Sequence, residues 1–255
     1  MTARTGRGHR HMRAWRDALI VIHPNCAAAL RRIGAFRRQC LTRRALVFVA
    51  TTLAAVSFGA RAQNLPPYEV DGFRGARFGM AESEVRAVAA KNLGVRAGDF
   101  SLNPNPVEGT TVLTAHVASL DPGPGPALIT YIFGHSSKKL IQVNVIWGED
   151  PKAKADVNDM VAAGTRLQRY FAGYSWRKDT TRAGIPVGDN TVVLFAGEDM
   201  KKGAVRVVID GVKYQMMNAG KETSSPDPKG PPKLVINYIA DRDNPDVAKI
   251  DKGKF

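Results

Sequence analysis

Residues 127–147 read ALITYIFGHSSKKLIQVNVIW and hold two strand-like runs separated by a short turn. In the second run, 139–147, apolar residues alternate with Gln142 and Asn144, a period of two that is typical of a strand with one buried face. The turn, 134–138, is too short to allow anything but an antiparallel pair. This stretch therefore predicts a β-hairpin with one face against a core.

Strand and helix patterns continue on both sides of this hairpin. Two segments, 82–93 and 152–174, place apolar residues at helical spacing along one stripe. The other predicted strands are 111–120, 191–196, 204–212 and 234–240. The resulting order is a helix followed by three strands, twice. We therefore predict an α+β fold built on an antiparallel sheet, with a possible duplicated helix-plus-three-strand unit.

The two predicted helices begin differently. Asp150 offers an N-cap oxygen to the second helix, and Pro151 suits its first position, where an N–H is not needed. The first helix is preceded by Ala81, which has no side-chain oxygen to cap it. A helix with one apolar stripe has to cover a partner surface. Both helices are therefore expected on one face of a single curved sheet, or of two adjoining sheets.

The face of the sheet opposite the helices is the first candidate for a binding surface. The alternation places His116, Gln142 and Asn144 on it. We expect this face to be solvated or to bind a ligand.

Residues 41–62 resemble a secretory signal peptide. Arg43 and Arg44 supply the positive charge, and 45–60 form a moderately apolar run. The small residues around Arg61 predict cleavage between Ala62 and Gln63. The mature protein would then start at Gln63 and reside in the periplasm or be secreted.

Three alternatives to this interpretation stay open. The run 45–60 could remain as a membrane anchor, although it is shorter than the roughly 20 residues that a spanning helix needs. The arginine pair also partly matches a twin-arginine signal. Residues 1–40 are either a disordered basic leader or lie upstream of a true start at Leu41. Neither reading of 1–40 includes this segment in the fold.

Removing the leader and the signal changes the charge of the protein. Residues 1–62 hold 12 of the 37 basic residues and 1 of the 23 acidic ones, so the net charge falls from +14 to +3. The mature chain has no basic cluster, which argues against nucleic acid as a partner. Both cysteines, Cys26 and Cys40, are also removed. Disulfides, thiolate metal sites and cysteine nucleophiles are thereby excluded from the mature protein.

Few side chains of the mature chain are candidates for catalysis or metal binding. The best enzymatic alternative is a serine hydrolase that combines Ser136 or Ser137 with His135 and an acid such as Asp121, but no Gly-x-Ser-x-Gly motif supports it. The carboxylate pairs Glu198–Asp199 and Asp241–Asp243 look like solvated turns rather than parts of a complete cation loop. We therefore predict no catalytic, metal or cofactor residues, and consider an enzyme the less favoured class.

Residues 72–85, GFRGARFGMAESEV, resemble the opening of many small exported proteins, where a strand ends in Phe-Gly-Met and a helix follows. With the hairpin at 131–141, the chain is similar to the β-lactamase-inhibitor-like fold shared by small outer-membrane assembly lipoproteins. The likeness covers 72–148 and, more faintly, 149–240. The chain departs from it in Ala81, where a capping Ser or Thr is usual, and in lacking a lipid-bearing cysteine. The resemblance implies an adaptor or inhibitor that binds proteins.

These observations predict a single exported domain, residues 63–255. Its segment 220–232 is expected to be a mobile loop because it has few apolar residues, and the tail from Asp241 is expected to fray. We expect a cell-envelope binding or adaptor protein whose partner is an envelope protein or a small ligand. Contact with the membrane is expected only through an uncleaved signal.

Overall fold

A computed structural model describes residues 20–21, 65–150, 153, 156–218, 220–249 and 253. The leader and the signal, apart from Ile20–Val21, lie outside the described residues, as do Ala62 and Gln63. The helices are α1 Glu82–Leu93 and α2 Val157–Ala172, and a single 3-10 turn spans Ala97–Asp99. The strands are β1 Ile20–Val21, β2 Gly72–Phe73, β3 Ala76–Arg77, β4 Phe100–Asn105, β5 Thr110–Val117, β6 Ala127–Phe133, β7 Leu140–Trp147, β8 Arg182–Pro186, β9 Val192–Glu198, β10 Ala204–Asp210, β11 Gln215–Asn218, β12 Lys221–Ser224 and β13 Lys233–Ile239.

The predicted α+β fold with an antiparallel sheet is confirmed. In the described part of the chain, eight strands form one sheet in the order β4-β5-β6-β7-β13-β10-β9-β8, and every neighbouring pair is antiparallel. The sheet consists of two four-strand meanders that meet where β7 pairs with β13. Four strands of this sheet therefore follow each helix rather than three, because the edge strands β4 and β8 were not predicted from the sequence.

Both helices cover the same face of this sheet. Helix α2 packs over β9, β10 and β13, while α1 packs on the short ribbon of β2 and β3, which lies against β7 and β13. Gly164 lets α2 approach closely, since a Cβ there would lie 2.5 Å from Leu194 Cδ1. The buried residues form one hydrophobic cluster that includes Val85 of α1, Phe171 of α2 and Trp147 of β7.

The predicted start of the second helix is wrong. The N-cap is Asp156, whose side chain accepts backbone N–H groups from Asn158 at 2.7 Å and Asp159 at 3.3 Å. Helix α1 starts where expected, and Ala81 has no side chain to cap it. Glu84 compensates in part, because its carboxylate accepts the Ala81 N–H at 2.6 Å.

The chain from Leu65 onward is tied to the end of α2. Ser175 N–H donates to Pro66 C=O at 2.8 Å, and Tyr68 N–H donates to Ser175 C=O at 3.2 Å. The Tyr68 ring stacks on Trp176 with centroids 4.9 Å apart, and burial raises the pKa of its hydroxyl. The chain is therefore anchored within a few residues of the predicted cleavage point.

Two segments expected to lack structure make regular contacts. Within 220–232, strand β12 pairs with β11, and β11 also pairs with Ile20–Val21. In the C-terminal tail, Ala248 N–H donates to Glu108 C=O at 2.7 Å, and His135 N–H donates to Asp246 C=O at 2.8 Å. The tail therefore holds two turns of the first meander, whereas the mobility of 220–232 stays a prediction.

Candidate functional site

The face of the sheet that points away from both helices is broad and mostly half-buried. We call the outward side chains of β5, β6, β7, β13 and β10 the open face. The prediction that His116, Gln142 and Asn144 lie on it is confirmed by the strand registers. The open face consists of Val112, Thr114, His116, Leu128, Thr130, Ile132, Gln142, Asn144, Ile146, Val235, Asn237, Ile239, Arg206 and Val208.

A row of polar side chains crosses the centre of the open face. Register pairing aligns Thr130 with Asn144, Asn144 with Asn237, and Asn237 with Arg206. The Asn144 amide donates to Thr130 Oγ1 at 3.0 Å, while Asn144 Oδ1 accepts from Asn237 at 2.9 Å and from Gln142 at 2.7 Å. Asn144 and Asn237 thus link the two meanders through their side chains as well as their backbones.

The polar row leaves hydrogen-bonding capacity unused. Within the described part of the chain, no donor reaches Asn237 Oδ1 or Gln142 Oε1. Arg206 is exposed, and it pairs with no carboxylate among the described residues. These atoms can bond to a partner without breaking a contact inside the domain.

Aliphatic side chains flank the polar row on both sides. On one side the registers align Leu128, Ile146, Val235 and Val208 across four strands, and each of them is half-buried. On the other side lie Val112, Ile132 and Ile239. A partially exposed aliphatic surface with a few fixed polar groups is typical of a protein-binding surface.

The two edges of the sheet are poor places for a further strand to pair. Pro104 in β4 has no N–H to donate. At the other edge, Gly184 of β8 has a φ of +62°, which breaks the extended backbone, and Pro186 ends the strand. Edge strands that are interrupted in this way resist addition of another strand.

Sequence reasoning missed the second half of the open face. Arg206 and Asn237 lie on β10 and β13, strands that the alternation did predict. Each of these residues is the polar member of an alternating run, in 204–210 and 233–239. The alternating pattern therefore marks each residue as outward-facing, but their alignment with Asn144 depends on pairing between the meanders.

A groove of about 790 Å³ lies beside the open face, at the end of α1 and of β5. His116 and Leu128 belong to both surfaces. Its charged residues are engaged: Arg96 donates to Asp99 at 2.9 Å, and this hydrogen bond lowers the pKa of the Asp99 carboxyl. The floor is apolar and includes Leu93, Val117, Ala118, Pro126 and Ala127. The groove has room for a small ligand, and its lining also includes the polar residues His116, Ser119, Glu149 and Asp150.

The structure separates the proposed hydrolase residues. His135 Nδ1 lies 3.1 Å from Gly109 C=O, and Ser137 Oγ accepts the Lys139 N–H at 3.2 Å. The carboxylate beside the serines is that of Asp246, which accepts their backbone N–H groups. Asp121 follows Leu120, which bonds to Trp147 at the other end of β7, about 20 Å away for a strand of that length. His135 and the two serines therefore do not form a triad with Asp121, and the His135 ring lies against Gly109 C=O.

The interpretation of Glu198 and Asp199 as a solvated turn is wrong. Their exposures are 5% and 2%. Arg177 and Arg242 both pair with Glu198. Asp199 accepts N–H groups from Val70 at 2.8 Å, Lys201 at 2.7 Å and Gly203 at 2.8 Å. These carboxylates are fully occupied in holding the turn after β9 and the N-terminal segment.

The other carboxylate pair also has a local role. Asp241 accepts the N–H groups of Asp243 at 2.9 Å and Asn244 at 3.0 Å, and Asp243 pairs with Lys202. Within the described residues, no group of three or more metal-ligating side chains comes together. In the same part of the chain, no helix has the length and apolar character to cross a bilayer.

Comparisons with family models, with curated proteins and with solved structures give no match for this chain. The resemblance to the β-lactamase-inhibitor-like fold therefore stays a prediction.

Proposed function

We propose that this chain is an exported binding or adaptor protein of the cell envelope, which binds a protein partner through its open face. The observation that carries the proposal is the composition of that face. Half-buried aliphatic rows flank a polar row in which Asn237 Oδ1 and the Arg206 guanidinium have no partner among the described residues. Such a surface gains free energy when it is covered by a surface of matching polarity.

The size of the sheet suits a protein partner. Its eight strands, at about 4.8 Å spacing and with about six residues each, span about 34 Å by about 20 Å, an area of about 700 Å². The open face occupies five of these strands, about 400 Å², so a partner that buries the roughly 800 Å² of a standard interface would cover the outer strands as well. The interrupted edge strands leave the face as the more suitable surface for docking.

Export is supported by the signal-like segment 41–62 and by the anchoring of the chain from Pro66 onward. Cleavage between Ala62 and Gln63 would leave a domain in which these described contacts are retained. The test is intact-mass analysis of the native protein from an envelope fraction. A mass starting at Gln63 supports export with cleavage, whereas a mass that includes 45–60 supports the membrane-anchored alternative.

Partner binding is tested with two matched variants. Ile146→Arg places a bulky charge in the centre of the open face, while Ala162→Arg places the same charge on the exposed side of α2. We expect affinity capture from envelope extracts to yield a stoichiometric partner with the wild type and with Ala162→Arg. Capture should fall at least about tenfold with Ile146→Arg, because the arginine blocks close packing of the partner.

The opposite pattern would contradict the proposal. If Ile146→Arg captures the partner as well as the wild type does, the open face is not the binding surface. Far-UV circular dichroism and urea unfolding of both variants verify that the fold is unchanged.

A further inference from the structure

We infer that the partner presents a carboxylate to Arg206, so that binding at the open face selects an acidic residue within an aliphatic surface. This inference rests on the proposed binding function and adds the chemistry that the partner must carry.

Arg206 differs from the arginines around it because its side chain makes no hydrogen bond or ion pair with another described residue. Arg177 and Arg242 pair with Glu198. Arg182 lies in the same row of the sheet as Arg206, separated from it by Ala196. Its guanidinium donates to the backbone C=O groups of Asp179 at 2.8 Å and Thr181 at 2.9 Å. The guanidinium of Arg206 is thus left for an external acceptor.

The surroundings of Arg206 make a counter-charge necessary once the face is covered. Its register neighbours are Asn237 and Ala196, and the adjacent outward residues on its strand are Ala204 and Val208. These side chains offer the guanidinium no negative charge. Glu198, which lies opposite Ala204, is already paired with Arg177 and Arg242. A partner that buries Arg206 without supplying one would leave an unpaired charge at a dry interface, which opposes binding strongly. A partner carboxylate removes that penalty and accepts two parallel N–H bonds.

Asn237 further restricts which partner groups can lie beside Arg206. Its Nδ2 donates to Asn144 Oδ1, while its own Oδ1 accepts no hydrogen bond in the described part of the chain. The group that meets Arg206 should therefore have a hydrogen-bond donor beside its carboxylate. The partner surface is expected to hold an Asp or Glu, a neighbouring N–H donor and surrounding aliphatic side chains.

The test uses a display library of a small helical scaffold randomised on one face, selected against the full chain. Clones whose binding is lost with Ile146→Arg are those that occupy the open face. We expect these clones to be enriched in Asp or Glu at the centre of the randomised face. Arg206→Glu should weaken them at least about tenfold, because a guanidinium–carboxylate attraction becomes a repulsion.

Arg182→Glu is the matched control, since it makes the same charge change in the same row and should leave binding within about twofold. Arg206→Ala serves as a second variant if charge reversal disturbs folding. Open-face clones that lack acidic enrichment, or that bind Arg206→Glu as well as the wild type, would overturn this inference and leave the proposed function standing. Clones that all tolerate Ile146→Arg would overturn both.

Discussion

The carboxylate of Asp246 lies against the turn between β6 and β7. It accepts the N–H groups of Ser136 at 3.0 Å and Ser137 at 2.9 Å. The Ser137 side chain also bonds to this carboxylate and has the largest effect on it. Together with the two backbone bonds, it lowers the pKa of Asp246 to about 2. Because the bonds require the ionised carboxylate, the contribution of this residue to stability depends on pH.

Asp246→Asn should therefore lose stability relative to the wild type near neutral pH. The folded-state pKa lies below the unfolded value of about 3.9. The wild type should therefore exceed the variant in stability by the full amount above pH 5, and this stability difference should shrink as pH falls towards 2. The measurement is the urea midpoint of both proteins across this range. Glu222→Gln, on the exposed strand β12, controls for loss of one negative charge. A difference that stays constant down to pH 2 would contradict the prediction.

Contacts such as that of Asp246 were beyond the reach of sequence reasoning. Ser137 and Asp246 are 109 positions apart, and no local pattern links them. The same holds for Asp199, whose bond to Val70 spans 129 positions. Local alternation, in contrast, placed Gln142 and Asn144 on the correct face, because the direction of a side chain in a strand depends only on its position.

At the scale of elements, the chain offers two possible N-caps for α2, Asp150 and Asp156. Asp150 followed by Pro151 has the composition of a helix start, yet the N-cap is Asp156. The apolar stripe decides between them, since the first fully buried residue of the helix is Met160. A turn begun at Asp150 would add residues without an apolar stripe to bury.

Asp156→Ala should lower the free energy of unfolding by about 1 kcal/mol, because two backbone N–H groups lose their acceptor. Asp156→Asn, which keeps a capping oxygen at the same position, should cost less than half as much. Urea unfolding of the two variants under identical conditions provides the comparison. Equal losses would show that the capping oxygen is not the source of the effect.

Among the eight strands of the main sheet, sequence reasoning missed the two at its edges, β4 and β8. Strand β4 reads FSLNPN, which alternates but contains a proline and two asparagines, and β8 reads RAGIP, which does not alternate. Proline, glycine and asparagine are depleted in strands, so neither segment has the composition that predicts a strand. The proline and glycine in these edge strands also oppose pairing with a further strand.

At the scale of the whole molecule, the sheet has a seam where β7 meets β13. Here Val145 pairs with Ile236 and Val143 with Tyr238, all four of them buried. The hydrophobic cluster continues beneath the seam without interruption. Alternation predicted both strands but not their pairing, since any two antiparallel strands with apolar faces satisfy the same pattern.

We expect the two meanders to unfold in one transition. The chain has three tryptophans, of which Trp147 reports on the first meander and Trp176 on the second. In a Trp15→Phe background, Trp147→Phe and Trp176→Phe leave one reporter each. In each variant, fluorescence and far-UV circular dichroism should give the same urea midpoint, as expected for a two-state domain. A fluorescence midpoint that departs from that of circular dichroism in either variant would show that the meanders unfold separately.

The seam also sets the order in which the fold can be completed. A chain emerges from the ribosome with its N-terminus first, so β7 is present long before β13, the last strand of the sheet. During that interval β7 exposes a row of unpaired backbone groups beside an incomplete core. The nascent protein therefore passes through a stage in which it needs protection from other chains, and that stage ends only when the residues close to its C-terminus arrive.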